Sequence, residues 1–333
     1  MKHKPEISVI TASYNRGRYL EKLIKSLSSQ TFKNFEWIIG NDGSNDNTDQ
    51  IIKNKKNKLK FNITYIRSTH RIGKAKMDNL LFERIKGKYV IYIGSADVFT
   101  SNALEHMLKL IKKIPRNKSK QFAGVIAQSV DRNGISQTFH PNKVPDKELT
   151  LIFEDYIEYI KGDDSVLEFS SNYDNKKYLE VDFVINESSM LSKVYLGKYF
   201  LISPKTVKIM YRPSDSTSFG KKMRYTRGSA HCIAEVEKFN KFVRYPFFKK
   251  IRLIINYWRY CFHGDISFVK AKQMWQVTNK SYLPILLYPL SFLICLRDNL
   301  LRKVEKTHII FDQNIKKYKI SIETFEMSKT YHQ

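Results

Sequence analysis

The carboxylate with the most informative sequence context is Asp97. It follows the run 89–93 (YVIYI), in which every residue is aromatic or β-branched, and the small residues Gly94, Ser95 and Ala96 lie between them. A run of this kind predicts a strand that is buried on both faces. Open α/β sheets bind ligands at the carboxyl ends of their strands, so we expect Asp97 to face a ligand.

Three further loops of polar composition follow β-rich runs and precede helical patterns, at residues 12–16, 41–48 and 68–74. The carboxyl ends of neighbouring parallel strands meet at one edge of a sheet, so the three loops are expected to converge there with Asp97. Asp42 precedes Gly43 in the second loop, where its carboxylate can face a ligand. Considered alone, the same loop also fits an Asx-rich turn that caps a helix.

The first hundred residues alternate short β-rich runs with helical patterns, such as 19–29 and 74–86. This alternation predicts βαβ units and a mostly parallel, Rossmann-like sheet flanked by helices. The chain of 333 residues is long enough for one large α/β domain with an extension, or for two domains.

The charge balance favours a phosphate-bearing partner. Lys and Arg number 58 against 32 Asp and Glu, which gives a formal net charge of +26. Nucleic acid, anionic lipid head groups and sugar-linked diphosphates would all respond to such a field. No helix-turn-helix, RRM or zinc-finger pattern occurs, so we do not expect nucleic acid to be the partner. Three widely spaced cysteines and an N-terminus without an apolar run indicate a cytoplasmic protein.

After residue 240 the composition becomes aromatic and basic, which is typical of a region that associates with an anionic membrane surface. The uncharged run 281–296 is interrupted by Pro284 and Pro289 and is shorter than the roughly 18 to 20 residues of a spanning helix. It either lies in the membrane interface or packs on its own domain.

Three segments carry a family resemblance when they are taken in order: SVITASYNRGRYLEKLIKSLSSQTFKNFEWIIGNDGSNDNT, HRIGKAKMDN and GKYVIYIGSAD. Together they resemble the nucleotide-sugar-binding half of a family 2 glycosyltransferase with the GT-A fold, of the type that builds bacterial surface polysaccharides. The resemblance implies a glycosyltransferase domain at 1–240, with a donor half at 1–100 and an acceptor half at 101–240. Residues 241–333 are then a helical, basic and aromatic extension.

The resemblance further implies an inverting transfer of a sugar from a nucleoside-diphosphate sugar, expected to be a UDP-sugar, to a glycan or lipid-linked glycan. It places the protein peripherally at the inner face of the cell membrane. Where the family often has an Arg before the matching Asn79, this chain has Asp78, so a cation must come from elsewhere in that segment. The implied donor-binding residues are Thr11, Ser13, Tyr14, Asn15, Asp42, Gly73, Lys74, Asn79 and Ser95.

The family's usual Asp-x-Asp-Asp run, which holds a divalent Mg or Mn ion on the sugar diphosphate, corresponds here to Gly94, Ser95, Ala96 and Asp97. Only Asp97 remains as a predicted metal ligand, and phosphate oxygens and water would have to complete the shell. Two alternatives stay open. Lysines neutralise the leaving diphosphate without a metal, or the chain is a non-catalytic relative that binds a nucleotide-sugar or a partner protein.

An inverting transfer also needs a base that accepts the proton of the acceptor hydroxyl. Glu187 matches the family's acid best, although a Glu directly after Asn186 is also ordinary helix-capping chemistry. The other candidates for the base are Asp163, Asp164 and Asp182.

Overall fold

The structure is a computed structural model. It describes residues 4–160, 162–174, 178, 194–211, 230, 233, 247–276, 283–301 and 319–325. The chain divides into two compact units. The first unit comprises Met1–Lys177, Val194–Ser214 and Ile315–Gln333, and the second comprises Tyr178–Lys193 and Asp215–Asn314.

The first unit is built on one sheet, whose strands in the described residues follow the order β10-β3-β2-β1-β4-β8-β6-β9-β5, with β7 paired to β9. The strands are β1 Ile7–Ser13, β2 Phe35–Asp42, β3 Asn62–Ser68, β4 Tyr89–Tyr92, β5 Val98–Phe99, β6 Phe122–Val130, β7 Leu149–Ile152, β8 Ser165–Phe169, β9 Tyr199–Ile209 and β10 Ile320–Phe325. The four neighbours β3, β2, β1 and β4 all run parallel, which confirms the predicted fold class.

Among the described residues, five helices flank this sheet: α1 Gly17–Ser28, α2 Thr48–Lys55, α3 Lys74–Phe82, α4 Ala103–Lys112 and α5 Phe153–Tyr159. The first helix shows why they form. Leu20, Leu23, Ile24 and Leu27 recur at helical spacing on one face, and all four are buried. An apolar stripe of this kind stabilises a helix mainly by packing it on a core.

Both faces of the parallel strands are covered, as the run 89–93 predicts. In β2, Trp37 and Ile39 belong to the core that includes α1 and α4, whereas Ile38 belongs to the core formed with α3. Successive side chains of a strand point to opposite faces, so the two clusters lie on opposite sides of the sheet. A packed apolar core therefore supports the parallel strands on each side of the sheet.

One strand comes from a part of the chain that the sequence predicts to be helical. Residues 320–325 form β10, which pairs antiparallel with β3 from Ile320 opposite Ser68 to Phe325 opposite Ile63. The prediction of an entirely helical region at 241–333 is therefore wrong at this segment. The predicted domain boundary at residue 240 lies outside the described residues.

The described part of the second unit is helical, with α6 Phe247–His263, α7 Phe268–Gln276, α8 Leu283–Leu286 and α9 Tyr288–Leu300. Its core is aromatic: the Tyr257 ring lies 5.4 Å from that of Trp258 and 4.7 Å from that of Trp275. Within the described residues, none of the helices combines the length and the apolar character that crossing a membrane requires.

Candidate active site

The polar loops that follow β1, β2 and β3 lie side by side at the carboxyl edge of the sheet. The register sets Ser13 of β1 opposite Asn41 of β2, and Asp42 of β2 opposite Ser68 of β3. The predicted convergence of these loops is therefore confirmed.

Hydrogen bonds join the first loop to the second. Asn15 has a left-handed backbone with φ of 51°, and its N–H donates to Ser44 Oγ over 2.9 Å. In return, Asn45 N–H donates to Asn15 Oδ1 over 3.0 Å, and Gly17 N–H donates to Asp46 Oδ2 over 2.9 Å. Asn15 thus fixes the geometry of both loops.

Asp42 joins the second loop to the third. Its side chain is 4 % exposed, and its carboxylate accepts hydrogen bonds from Ile72 N at 2.7 Å and from Gly73 N at 3.1 and 3.2 Å. Gly43 beside it has φ of 68°, and a Cβ there would lie 2.2 Å from the carbonyl carbon of His70. The third loop can close around Asp42 only because residue 43 is glycine.

Burial makes this carboxylate unusual. It raises the pKa of Asp42 from 3.8 to about 7, although the two backbone hydrogen bonds and the charge of Arg71 act in the opposite direction. The Arg71 guanidinium lies over the Tyr14 ring, with Cζ 4.1 Å from the ring centroid. An acceptor, a cation and an aromatic ring therefore meet where the three loops join.

Two of the predicted donor-binding residues on β1 have different surroundings. Thr11 is fully buried, and its hydroxyl accepts a 3.1 Å hydrogen bond from Trp37 Nε1. Ser13 is also buried, but its Oγ has no hydrogen-bond partner within the described part of the chain. Thr11 therefore has a packing role, whereas Ser13 retains an unused hydroxyl at the strand end.

The third loop leads into α3, where Gly73 is the N-cap with φ of 91°. Lys74 Nζ forms a 2.5 Å ion pair with the buried Asp78 and lies 4.4 Å from the centroid of the Tyr92 ring. Asn79 is buried in the same helix. The dipole of a helix N-terminus, with Lys74 beside it, is suited to phosphate.

Asp97 lies close to the end of β9 and is largely buried, as is Ser95 beside it. Its Oδ1 accepts a 3.1 Å hydrogen bond from Tyr211 N. A Cβ on Gly94 would lie 2.7 Å from Asp97 Oδ2, so the carboxylate occupies the space that a larger residue at position 94 would take. Asp97 therefore fills the space that the side chain of the family's first acid would need at position 94.

The described residues offer Asp97 as the one carboxylate for the predicted metal site. They contain no group of three or more His, Cys, Asp or Glu side chains that is arranged to hold a metal ion. Asp97 is the single acid in the 94–97 segment, and one of its oxygens is engaged by Tyr211. We therefore derive no step of the chemistry through a metal.

Two cations flank the ring of Tyr211, the residue that binds Asp97. Lys22 Nζ and Arg132 Cζ lie 4.9 and 4.4 Å from the centroid of this ring, and the Tyr211 backbone N–H donates to Asp97. Sequence reasoning missed this group because its members come from α1, from the loop after β6 and from the end of β9. No local pattern in the sequence connects them.

Of the candidate bases, Glu187 and Asp182 lie outside the described residues. Asp164 accepts a 2.5 Å hydrogen bond from the Tyr156 hydroxyl, and its backbone oxygen accepts one from Lys208 Nζ at 2.6 Å. Burial raises the pKa of Asp164. Its buried contacts indicate a structural role, and Asp163 beside it is exposed.

A buried acid that the sequence does not single out is Glu168 in β8, next to β4. Burial raises its pKa to about 7, and hydrogen bonds, the first from the Tyr173 hydroxyl at 2.7 Å, oppose that shift. A glutamate is rarely buried, so nothing in the strand sequence SVLEF marks this acid as a buried one. The flanking strands and Tyr173 bury it.

Comparison with known proteins identifies the family of the chain. The family model described as glycosyl transferase family 2 matches residues 8–196, which is more than half of the chain. A Campylobacter jejuni GalNAc(5)-diNAcBac-PP-undecaprenol beta-1,3-glucosyltransferase is 25% identical over 202 residues, which are 60% of this chain and 62% of that protein. The putative teichuronic acid biosynthesis glycosyltransferase TuaG of Bacillus subtilis is 30% identical over 41% of this chain and 53% of its own.

The similarity to these relatives is partial: the matched regions of several others span only 18 to 51% of the relatives' own lengths. Among solved structures, S. aureus TarS 1-349 in complex with UDP-GlcNAc has a TM-score of 0.57 at 16% identity, over 90% of this chain and 84% of that one. The mannosyltransferase PcManGT from Pyrobaculum calidifontis, in complex with GDP-Man and Mn2+, has a TM-score of 0.52 at 13% identity and covers 91% and 89%.

These structural likenesses support the fold, and the range of the family match, 8–196, includes the three polar loops, Asp42 and Asp97. The chain belongs to glycosyl transferase family 2.

Proposed function

We propose that this chain transfers a sugar from a nucleoside-diphosphate sugar to a hydroxyl of a glycan or lipid-linked glycan. The observation that carries the proposal is the buried Asp42 carboxylate at the junction of three loops, next to the N-terminus of α3. A nucleotide needs both parts: an acceptor for the N–H groups of its base, and positive charge for its phosphates.

The nucleotide base is proposed to lie against Asp42, with Tyr14 and Asn15 beside it. The unused Ser13 hydroxyl lies at the same edge of the sheet. A carboxylate oxygen can accept a further hydrogen bond beside those from Ile72 N and Gly73 N, so Asp42 favours a base that donates an N–H. The N3–H of uracil is such a donor. The structural likeness to TarS, which was solved with UDP-GlcNAc, supports a UDP-sugar as the first donor to test.

The diphosphate is proposed to lie across the N-terminus of α3, close to Gly73 and Lys74, with Asn79 and Ser95 on its sugar side. As the bond between the anomeric carbon and the diphosphate oxygen breaks, negative charge grows on the leaving group. Fixed positive groups that are aimed at this charge stabilise the transition state. Arg71 and Lys74 at the third loop, and the cations at the Tyr211 ring, are proposed to supply this charge.

The attacking group is the acceptor hydroxyl oxygen. It forms a bond to the anomeric carbon on the face opposite the leaving diphosphate, and its proton passes to a carboxylate base. Glu187 is proposed as this base on the strength of the family resemblance alone. The attack from the opposite face gives inversion at the anomeric carbon.

We propose that the acceptor is met at the inner face of the cell membrane. The relative from Campylobacter jejuni is named for an undecaprenol-linked acceptor, and TuaG for teichuronic acid biosynthesis. The net charge of +26 favours a peripheral position on an anionic surface.

The function is tested by measuring nucleotide release from UDP- and GDP-sugars, with and without glycan acceptors. Wild type should release nucleotide from one donor class, Asp42→Ala should lose most of this release, and Asp146→Ala should retain it because Asp146 is an exposed loop acid. Equal rates for wild type and Asp42→Ala, or no release from any donor, would contradict the proposal.

The second candidate function is donor binding without turnover. The observation that favours it is the loss of acids at Gly94 and Ala96 and the engagement of Asp97 by Tyr211. A calorimetric titration separates the two: micromolar donor binding without nucleotide release, with or without manganese, supports the binding protein. Turnover of the same donor supports the transferase.

A further inference from the structure

Helix α9 in the second unit buries three small or polar side chains and exposes its leucines, along with Arg297 and Asn299. The residues that it buries are Ser291, Cys295 and Asp298. Four exposed leucines of α9, with Leu286 of α8, recur at helical spacing and form a surface that we call the leucine face: Leu286, Leu290, Leu293, Leu296 and Leu300. The exposed Arg297 lies among them. Surface helices of water-soluble domains normally show the reverse pattern.

The inward face is held by a polar network that needs none of the leucines. Asp298 is fully buried, and its Oδ2 accepts hydrogen bonds from Arg259 Nε at 2.5 Å and His263 Nε2 at 3.2 Å. Cys295 Sγ lies 3.7 Å from His263 Nδ1. Burial alone would raise the pKa of Asp298, but the Arg259 and His263 hydrogen bonds hold it below its usual value. These contacts tie α9 to α6 through charge and hydrogen bonds.

Five exposed leucines at helical spacing in the two neighbouring helices α8 and α9 exceed the scattered apolar residues of an ordinary protein surface and mark a docking surface. We propose that the leucine face docks the chain on an anionic lipid surface. This inference rests on the membrane location in the proposed function and names the surface that achieves it.

The length of α9 favours a position in the membrane interface over one that spans the bilayer. Tyr288–Leu300 has 13 residues, which at 1.5 Å per residue is about 20 Å, against about 30 Å for a hydrocarbon core. A helix that presents an apolar face of this length lies in the plane of the interface, with that face buried at the boundary between head groups and acyl chains.

The positive charge of this unit favours an anionic bilayer as the partner of the leucine face. Residues 247–276 and 283–301 contain seven Lys and Arg against two Asp and Glu. Exposed Phe247 and Phe248 at the start of α6 precede Lys249 and Lys250, and Arg252, two positions further on, is exposed. Aromatic residues beside cations are typical of interfacial anchors. A second copy of this chain would bring the same positive charge and would be repelled.

The test is co-sedimentation of the full chain with vesicles at low salt. Vesicles contain either phosphatidylcholine alone or phosphatidylcholine mixed with phosphatidylglycerol. Wild type should bind the phosphatidylglycerol vesicles more tightly, and added salt should weaken this binding. The variant Leu290→Gln/Leu293→Gln should bind at least about tenfold more weakly, because two leucines no longer transfer from water to lipid.

The matched control is Ile135→Gln/Val144→Gln, which changes two exposed apolar residues of the first unit. These are 53 and 36 % exposed, against 46 and 62 % for Leu290 and Leu293. The control should bind vesicles as wild type does. Glutamine is neutral, so neither variant alters the charge, and equal thermal melting of all three proteins verifies that the fold is kept.

Three results would overturn the inference: no vesicle binding by wild type at low salt, equal binding by the leucine variant and wild type, or a wild-type dimer in sedimentation that the leucine variant dissolves. Donor binding, measured without vesicles, separates this outcome from the proposed function. If wild type binds donor but does not bind vesicles, only the docking surface is refuted. If wild type binds vesicles but does not bind donor, only the proposed enzyme function is refuted.

Discussion

Replacing Asp42 by asparagine should change how the stability of this protein depends on pH. Burial raises the pKa of Asp42 from 3.8 to about 7. Between these two values the folded chain binds a proton that the unfolded chain has lost. The contribution of the Asp42 carboxyl to the unfolding free energy is therefore fully present below about pH 4 and is lost as the pH rises through 7.

The magnitude follows from the shift. Each pKa unit corresponds to about 1.4 kcal/mol, so the Asp42 group lowers the unfolding free energy by about 2 to 3 kcal/mol between pH 5 and pH 8. The asparagine side chain of the variant would not titrate, and its Oδ1 would still accept the hydrogen bond from Ile72 N. Relative to wild type, Asp42→Asn should gain that amount of stability on going from pH 5 to pH 8.

The assay is urea unfolding of both proteins at the two pH values, with midpoints and slopes compared. Other buried acids, such as Glu168, are shared by the two proteins and cancel in the difference. A relative change below about 1 kcal/mol would refute the reasoning, because it would mean that the Asp42 carboxylate is solvated. The same variant should bind donor more weakly at pH 8, since an amide replaces the carboxylate acceptor.

Two further predictions concern Gly43 and the segment 94–97, in which only Asp97 remains of the family's acids. Gly43→Ala should lower the unfolding free energy by at least about 2 kcal/mol in urea titrations, because its Cβ would meet the His70 backbone at positive φ. Gly134→Ala, also at positive φ but in open space, should cost only about 1 kcal/mol; equal losses would contradict the close approach. Ala96→Asp should bind Mn²⁺ at least about tenfold more tightly than wild type by calorimetry, because a second carboxylate joins Asp97. Unchanged affinity would show that position 96 does not face the site.

The parallel half of the fold could be predicted from the sequence because its signals are local. Strands buried on both faces appear as unbroken apolar runs, and the amphipathic pattern of α1 is continuous. β10 could not be predicted in this way. Its six residues, ISIETF, gain their strand character from pairing with β3, about 250 positions earlier in the chain.

The same distinction applies to the site. The placement of Asp42, Gly73 and Asp97 at a strand end or helix start could be predicted, because each has a small residue nearby. The buried engagement of Thr11 by Trp37, and the cations around Tyr211, depend on contacts between distant elements. The pattern of α9 is visible in the sequence as an uncharged run, but only the structure decides which of its faces is buried.

The central claim is that the Asp42 junction binds the base of the donor nucleotide. A crystal structure of the chain soaked with UDP tests this most directly. The account predicts the uracil ring against Asp42, with N3 about 3 Å from a carboxylate oxygen, and the diphosphate at the N-terminus of α3. UDP bound away from the three loops, or a base whose N–H groups do not contact Asp42, would contradict it.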